Sequence, residues 1–352
     1  MSAVLSGVER ASSGGRSAGV WSAAAKRFRT DKVGMTSTVI VAVFLLLVLA
    51  AALGLIARDW QVERGVPDAP PTFVGPAAPV VNVATATAAP TGPNVDISAI
   101  DPLAPRYAEW AEAAKKYQTT ATVKADTLPF GADRLGRDVL AKAIKGAEVS
   151  IFVGVSAALL ATVIGTLLGA IAGFFGGRIG DFLEWVYNVF TAVPGILLIF
   201  AFAAVFGRGI GSVVLILGLA GWTGIYRLMR AEFLKHAVRD YVRSAEAIGA
   251  GTGSRMFRHI LPNVSHVVLV QLSIHVVGFI KSEVILSYLG LGVGVEQVSW
   301  GTMLAEAQSE LILGHWWQLA AATLFMAVFV TAFSLMTDAL RDALDPKLRG
   351  LE

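Results

Sequence analysis

The chain has 352 residues, 55% of them hydrophobic and only 16% charged, where an ordinary soluble domain carries roughly 25% charge. It holds 29 Lys and Arg against 26 Asp and Glu, a net charge of +3, and no cysteine, which excludes disulfides and thiolate metal sites. Neither a Gly-rich phosphate loop ending in Lys-Ser or Lys-Thr nor a His/Glu pattern with zinc spacing is present, so any hydrolytic chemistry has to come from elsewhere.

A helix crossing the hydrocarbon core needs about 20 mostly apolar residues. Residues 1–35 are a polar, basic tail (Arg10, Arg16, Lys26, Arg27, Arg29, Lys32), too long a preamble for a signal peptide, so residues 36–58 are expected to be a retained anchor with its apolar run at Ser37–Ala57. Residues 59–148 form a long polar segment, and residues 149–340 a core of five further spans. These are Ser150–Gly177, Phe182–Gly207, Ile210 to about Met229, Val264–Leu291 and Trp317–Leu340. Residues 341–352 close the chain. The class is therefore an all-α, polytopic membrane protein with six transmembrane helices.

Lys and Arg concentrate in the N-terminal tail, in the 230–263 loop (Lys235, Arg239, Arg243, Arg255, Arg258) and in the C-terminal tail. Six spans place these segments on one side, which the charge rule assigns to the cytoplasm. This also explains the basic balance without nucleic acid. The 59–148 segment is near neutral, as an extracytoplasmic segment should be. Its 66–105 part is rich in Pro, Ala, Thr and Val and reads as an extended insert. After it, Tyr107, Trp110, Ala111 and Ala114 share one side of a short amphipathic helix. A second helix before the first core span carries Val139, Leu140, Ala143 and Ile144 at helical spacing, with Lys142 and Lys145 free to snorkel to the interface.

Inside the spans, Gly154, Gly165, Gly169 and Gly173 form a small-residue stripe suited to close helix packing. Pro194-Gly195 predicts a break in the middle of its span. Span five carries His275, Lys281 and Glu283. Charges at such depth are expensive and mark pathways by default. His275 and Glu283 lie about 80° apart on a helix and share a broad face for lining a path, whereas Lys281 and Glu283 are about 200° apart and cannot pair.

In the 230–263 loop, Val238, Tyr241, Val242, Ala245, Ile248 and Gly249 recur at helical spacing on one apolar to small face, with Arg239, Arg243 and Glu246 off it. Turn glycines follow, then Ser254 as a cap and a short helix stopped by Pro262. The small residues Ser244, Ala245, Ala247 and Gly249 suit close approach of another protein.

This loop resembles the cytoplasmic loop of permease subunits of ATP-binding-cassette importers, whose signature runs Glu-Ala-Ala, three residues, Gly, nine residues, Ile, any, Leu-Pro. Aligned on Gly249, its elements fall on Arg243-Ser244-Ala245, His259 and Leu261-Pro262, with Arg243 replacing the acid and His259 the Ile. "FGADRLGRDVLAKAIKGAEVSIFVG" at 130–154, "LSYLGLG" at 286–292, "WGTMLAEA" at 300–307 and "DALRDALDPKLRG" at 338–350 resemble further blocks of the dipeptide/oligopeptide/nickel branch. The resemblance implies a type I permease fold and a bacterial inner-membrane location. It also implies a role as half of a heterodimeric path for di- or oligopeptides, or for nickel or another small solute. The implied partners are a second homologous permease, two ATPase subunits that bind ATP and Mg²⁺, and an extracytoplasmic substrate-binding protein. This chain would then hold no catalytic residue, metal or cofactor of its own. Its coupling residues would be Arg243, Ser244, Ala245, Glu246, Ala247, Gly249, Leu261 and Pro262. An ion-coupled secondary transporter is the rival reading. It predicts paired broken helices and inverted repeats, and one Pro-Gly break without a twin is seen.

Overall fold

The computed structural model describes residues 20–76, 101–116 and 124–344. Much of the 66–105 insert, the start of the N-terminal tail and the C-terminal residues from Asp345 onward lie outside them. The chain divides into two compact units, Gln61–Val139 and the remainder, Met1–Trp60 with Leu140–Glu352.

In the smaller unit a 3₁₀ turn at Ala104–Arg106 leads into α3 (Tyr107–Lys116). The rest is held by isolated bridges, Glu63 to Arg137, Gly65 to Ala125, Pro71 to Leu128 and Ala132 to Asp138. The "GADRLGRD" stretch is a turn organised by one carboxylate. Asp133, fully buried, accepts from the Leu135 and Arg137 backbone N–H groups at 2.9 Å each and from Arg137 Nε at 2.7 Å. Gly136 has φ +81° and its α-carbon faces the Gly65 carbonyl, so no side chain fits there. Tyr107 and Trp110 of α3 are exposed.

The larger unit begins with α1 (Val20–Thr30) and α2 (Lys32–Ala52). Asp31 caps α2 by accepting from Val33 N–H at 2.9 Å. α4 (Val139–Phe175) is followed by two bent pairs, α5 (Gly177–Ala192) with α6 (Gly195–Phe206), and α7 (Ile210–Gly221) with α8 (Thr223–Ala237). Next come α9 (Asp240–Ala247), the single turn α10 (Thr252–Ser254), a π-helical segment Arg255–Ile260 and α11 (Leu261–Tyr288). α12 (Trp300–Ile312) and α13 (Trp317–Leu344) complete the unit. Among the described residues four helices are long and apolar enough to span a membrane, up to six if each bent pair is one span. The fold is all-α and polytopic.

Several expectations are corrected. α4 is one unbroken helix of 37 residues, about 55 Å at 1.5 Å per residue, so the helix expected at the interface and the first core span are the same rod. Lys142 does not snorkel: it is fully buried, its Nζ 2.5 Å from Glu306 Oε2 and 3.0 Å from Gln318 Oε1. The break expected at Pro194-Gly195 is present, as a bend of 89° with Val193 and Pro194 both extended. The fourth span bends by 42° and runs on to Ala237, taking in the start of the predicted loop. Pro262 stops nothing and Ser254 caps nothing. Thr252–Tyr288 is continuous, and Leu261 N–H donates to the Met256 carbonyl five residues back. That wider turn relieves the clash a proline ring makes with the carbonyl four residues before it. Arg341 and Asp342, expected in the C-terminal tail, ride on α13 itself.

The glycine stripe does what its spacing suggests. α8 crosses it so closely that a Cβ on Gly165 would sit 2.6 Å from the Trp222 carbonyl oxygen, and one on Gly169 2.6 Å from that of Tyr226. Gly173 meets Arg230 in the same way, while Gly154 faces Ile280 of α11. α13 packs along α2, where Phe44 meets Phe325 and Phe329 at centroid distances of 5.9 and 5.4 Å. Leu45, Leu46 and Leu49 of α2 remain exposed on its other side, as on a surface facing lipid or another subunit.

Candidate functional site

The 238–262 stretch is built around a thin anchor. α9 has eight residues, and of these Val242 and Ala245 are buried. Val242 joins Ala170 of α4, Ile225, Met229 and Phe233 of α8, Met256 and Ile260 of the π segment, and Val264 in one apolar cluster, against which Leu261 packs. The buried face is narrower than the sequence suggests: Val238 is 63% exposed and Ile248 85%, both lying just outside the ends of α9. Arg243, Ser244, Ala247 and Gly249 are exposed as well, and Pro262 is exposed on the first turn of α11. Gly249 adopts φ +87°, ending the helix in the left-handed conformation that only glycine enters without cost. Gly249 N–H donates to the Glu246 carbonyl at 2.9 Å and Ala250 N–H to that of Ala245 at 2.9 Å.

Glu246 does not project freely. Its Oε1 lies 2.6 Å from Arg255 Nη1, and the Arg255 guanidinium sits 5.4 Å over the ring of Phe174 at the end of α4. A second charged contact joins α5 to α8, with Arg230 Nε 3.3 Å from Glu184 Oε2 and Tyr226 OH donating to the same oxygen at 3.3 Å.

The three polar residues of span five part company. Glu283 is fully buried, its Oε2 accepting from Ser150 Oγ of α4 at 2.7 Å and its Oε1 from Ser287 Oγ at 2.6 Å. Ser150 Oγ in turn accepts from the Trp300 backbone N–H at 3.2 Å, so one carboxyl group ties together α4, α11 and the start of α12. Lys281 is exposed. His275 is partly buried, with its ring stacked on Phe279 at 5.4 Å. Among the described residues no group of three or more His, Asp or Glu is placed to hold a metal ion.

Residues 165–350, more than half of the chain, match the family described as the binding-protein-dependent transport system inner membrane component. The chain belongs to this family. Relatives of this transport component include the dipeptide transport system permease protein DppC of Bacillus subtilis, 37% identical over 220 residues, 62% of this chain and 69% of that one. The oligopeptide transport system permease protein OppC of the same organism is 34% identical over 238 residues, 66% and 78% of the two chains. The di/tripeptide transport system permease protein DppC of Pseudomonas aeruginosa is 37% identical over 221 residues, 63% and 73%. The family match begins inside α4 and takes in α9, the π segment, Glu283 and Ser287, while Ser150 lies before it.

Two features of the transport component escaped sequence reasoning. α12 is a helix whose start was signalled by Ser299 and Thr302, which form a reciprocal capping box. Arg255 left no trace in periodicity, since its partner Glu246 lies across a glycine-broken turn.

Proposed function

We propose that this chain is one of two permease subunits of an ATP-driven peptide importer, and that α9 with its flanks is the element on which an ATPase subunit docks. The names of its relatives support peptides as the cargo, with a substrate-binding protein delivering them from outside. In this reading both termini and the 238–262 stretch are cytoplasmic, residues 59–148 lie outside, and the partner ATPases supply ATP and Mg²⁺. This chain contributes half of the path and no hydrolytic group.

One observation carries the docking role. α9 is fixed from behind by Val242 and Ala245 while Val238, Arg243, Ala247 and Ile248 stand clear of the bundle. An isolated eight-residue helix is marginal in water, and Val238 and Ile248, exposed just outside its two ends, offer apolar surface to a partner. His275, Lys281 and Glu283 are proposed to act along the path, Lys281 directly from its exposed position and Glu283 by fixing the helices that form it.

The chain has no cysteine, so a single Ala247→Cys is a clean probe. In the assembled importer it should form a disulfide or short cross-link with an ATPase subunit, and a cysteine at exposed Leu46 of α2 should not. An Ala247→Cys that reaches no ATPase subunit in an ATP-hydrolysing assembly would refute the docking role.

A further inference from the structure

α9 has a mechanical difficulty. Its C-terminal side runs into Gly249, Gly251 and Gly253, where an added Cβ would meet nothing, so this turn makes no side-chain contact at those positions on its way to α11. Its buried anchor is two side chains. Val242 packs it on α4, α8 and α11 through apolar contacts alone, and a joint made by a charged contact on its last turn would add direction to that hold.

We propose that Arg255 is that joint, a positioning residue that transmits displacement of α9 to α4 and α11. The proposal rests on the docking role of α9 argued above. Three contacts meet in this one side chain. Its Nη1 lies 2.6 Å from Glu246 Oε1 on the last turn of α9. Its flat guanidinium covers the Phe174 ring at 5.4 Å, on the last turn of α4. Its backbone opens the π-helical segment that continues without a break into α11. The side chain is 18% exposed, whereas that of Glu246 is 60% exposed. A pair so open to solvent adds little to stability. What it supplies is geometry: a planar, permanently charged group pairs along its edge and stacks on its face at once, which a lysine ammonium does not do.

The π segment suits the same role. One residue more per turn than in an α-helix is a local register excess, held here by the burial of Met256 and Ile260 in the cluster that also holds Val242. A tug on Arg255 therefore acts at the start of a widened turn, the part of the helix most easily rewound.

The test uses the complete importer with its binding protein in liposomes, a mixture of labelled di- and tripeptides as cargo, and uptake per ATP hydrolysed as readout. With Arg255→Met, assembly and hydrolysis continue and the ratio falls by about fivefold or more, the scale on which residues along a coupling route act. Arg255→Lys, which keeps the charge beside Glu246, recovers part of that loss. An unchanged ratio in Arg255→Met overturns the proposal. So does a fall of uptake and hydrolysis in equal proportion with less assembled complex, which is the behaviour of an ordinary structural residue. The Ala247→Cys cross-link in the Arg255 parent separates the two claims: its presence with an unchanged Arg255→Met ratio removes the joint alone, and its absence removes the docking role beneath it.

Discussion

Lys142 Nζ lies 2.5 Å from Glu306 Oε2, an ammonium fully buried on α4 and held by a carboxylate on α12, with Gln318 Oε1 of α13 at 3.0 Å as its second acceptor. Gln318 Nε2 donates back to Glu306 at 3.3 Å and to the Met303 carbonyl at 3.3 Å, which closes the network. Removing one partner takes a short charged contact from the other. Glu306→Ala should lower stability by about 3 kcal/mol, because a buried charge loses its counterion, while Lys142→Met with Glu306→Met should lose much less. Thermal unfolding of the purified protein in detergent distinguishes the two. Equal destabilisation by the single and double variants would contradict this account.

Gly165 and Gly169 set the approach of α4 and α8. Gly165→Val places methyl groups against the Trp222 carbonyl and the side chain of Ile225, and overpacking of this kind costs about 1–3 kcal/mol. The amount of monodisperse protein recovered from membranes should fall. Gly253→Ala, at a position with open space, should behave as wild type in the same measurement.

Gly249 combines exposure with φ +87°. Gly249→Arg should abolish uptake while leaving the bundle inserted, since its side chain projects into the face proposed for the ATPase. Gly249→Asn separates backbone from bulk: Asn tolerates the left-handed conformation, so it should retain most uptake. If Gly249→Arg transports normally, the face is not a docking surface.

Glu283→Ala leaves the Ser150 and Ser287 hydroxyls without their shared acceptor between three helices. A loss of about 1–3 kcal/mol follows from unsatisfied buried groups. Uptake should fall further than the assembled amount, because the path is shaped by α4 and α11 together. Glu283→Gln, which keeps the shape and one acceptor oxygen but puts an NH2 donor in place of the other, should lie between the two when uptake and assembly are measured side by side.

How much of this was legible in advance depended on the range of the interaction. The span from Ser37, the break at Pro194 and the helix carrying Val242 follow from local rules of apolar length, a missing N–H and periodicity, and each is present. Lys142 shows the limit. Helical spacing placed it on an interfacial helix with its ammonium in water, and nothing within its own stretch announced Glu306, 164 positions on. Pro262 shows another: a proline that ends an α-helix is accommodated where a π turn precedes it, and the packing of Met256 and Ile260 favours that turn.

The sequence by itself determined that this is an all-α membrane protein, and where its glycines permit close contact, because bilayer thickness and backbone hydrogen bonding leave a chain of this composition few alternatives. Only the tertiary structure decided which charges are buried and what they hold. Arg255 meets Glu246 and Phe174, and Glu283 meets Ser150, through contacts between helices distant in sequence. The register of such contacts is fixed by side-chain packing in three dimensions, which no one-dimensional period encodes.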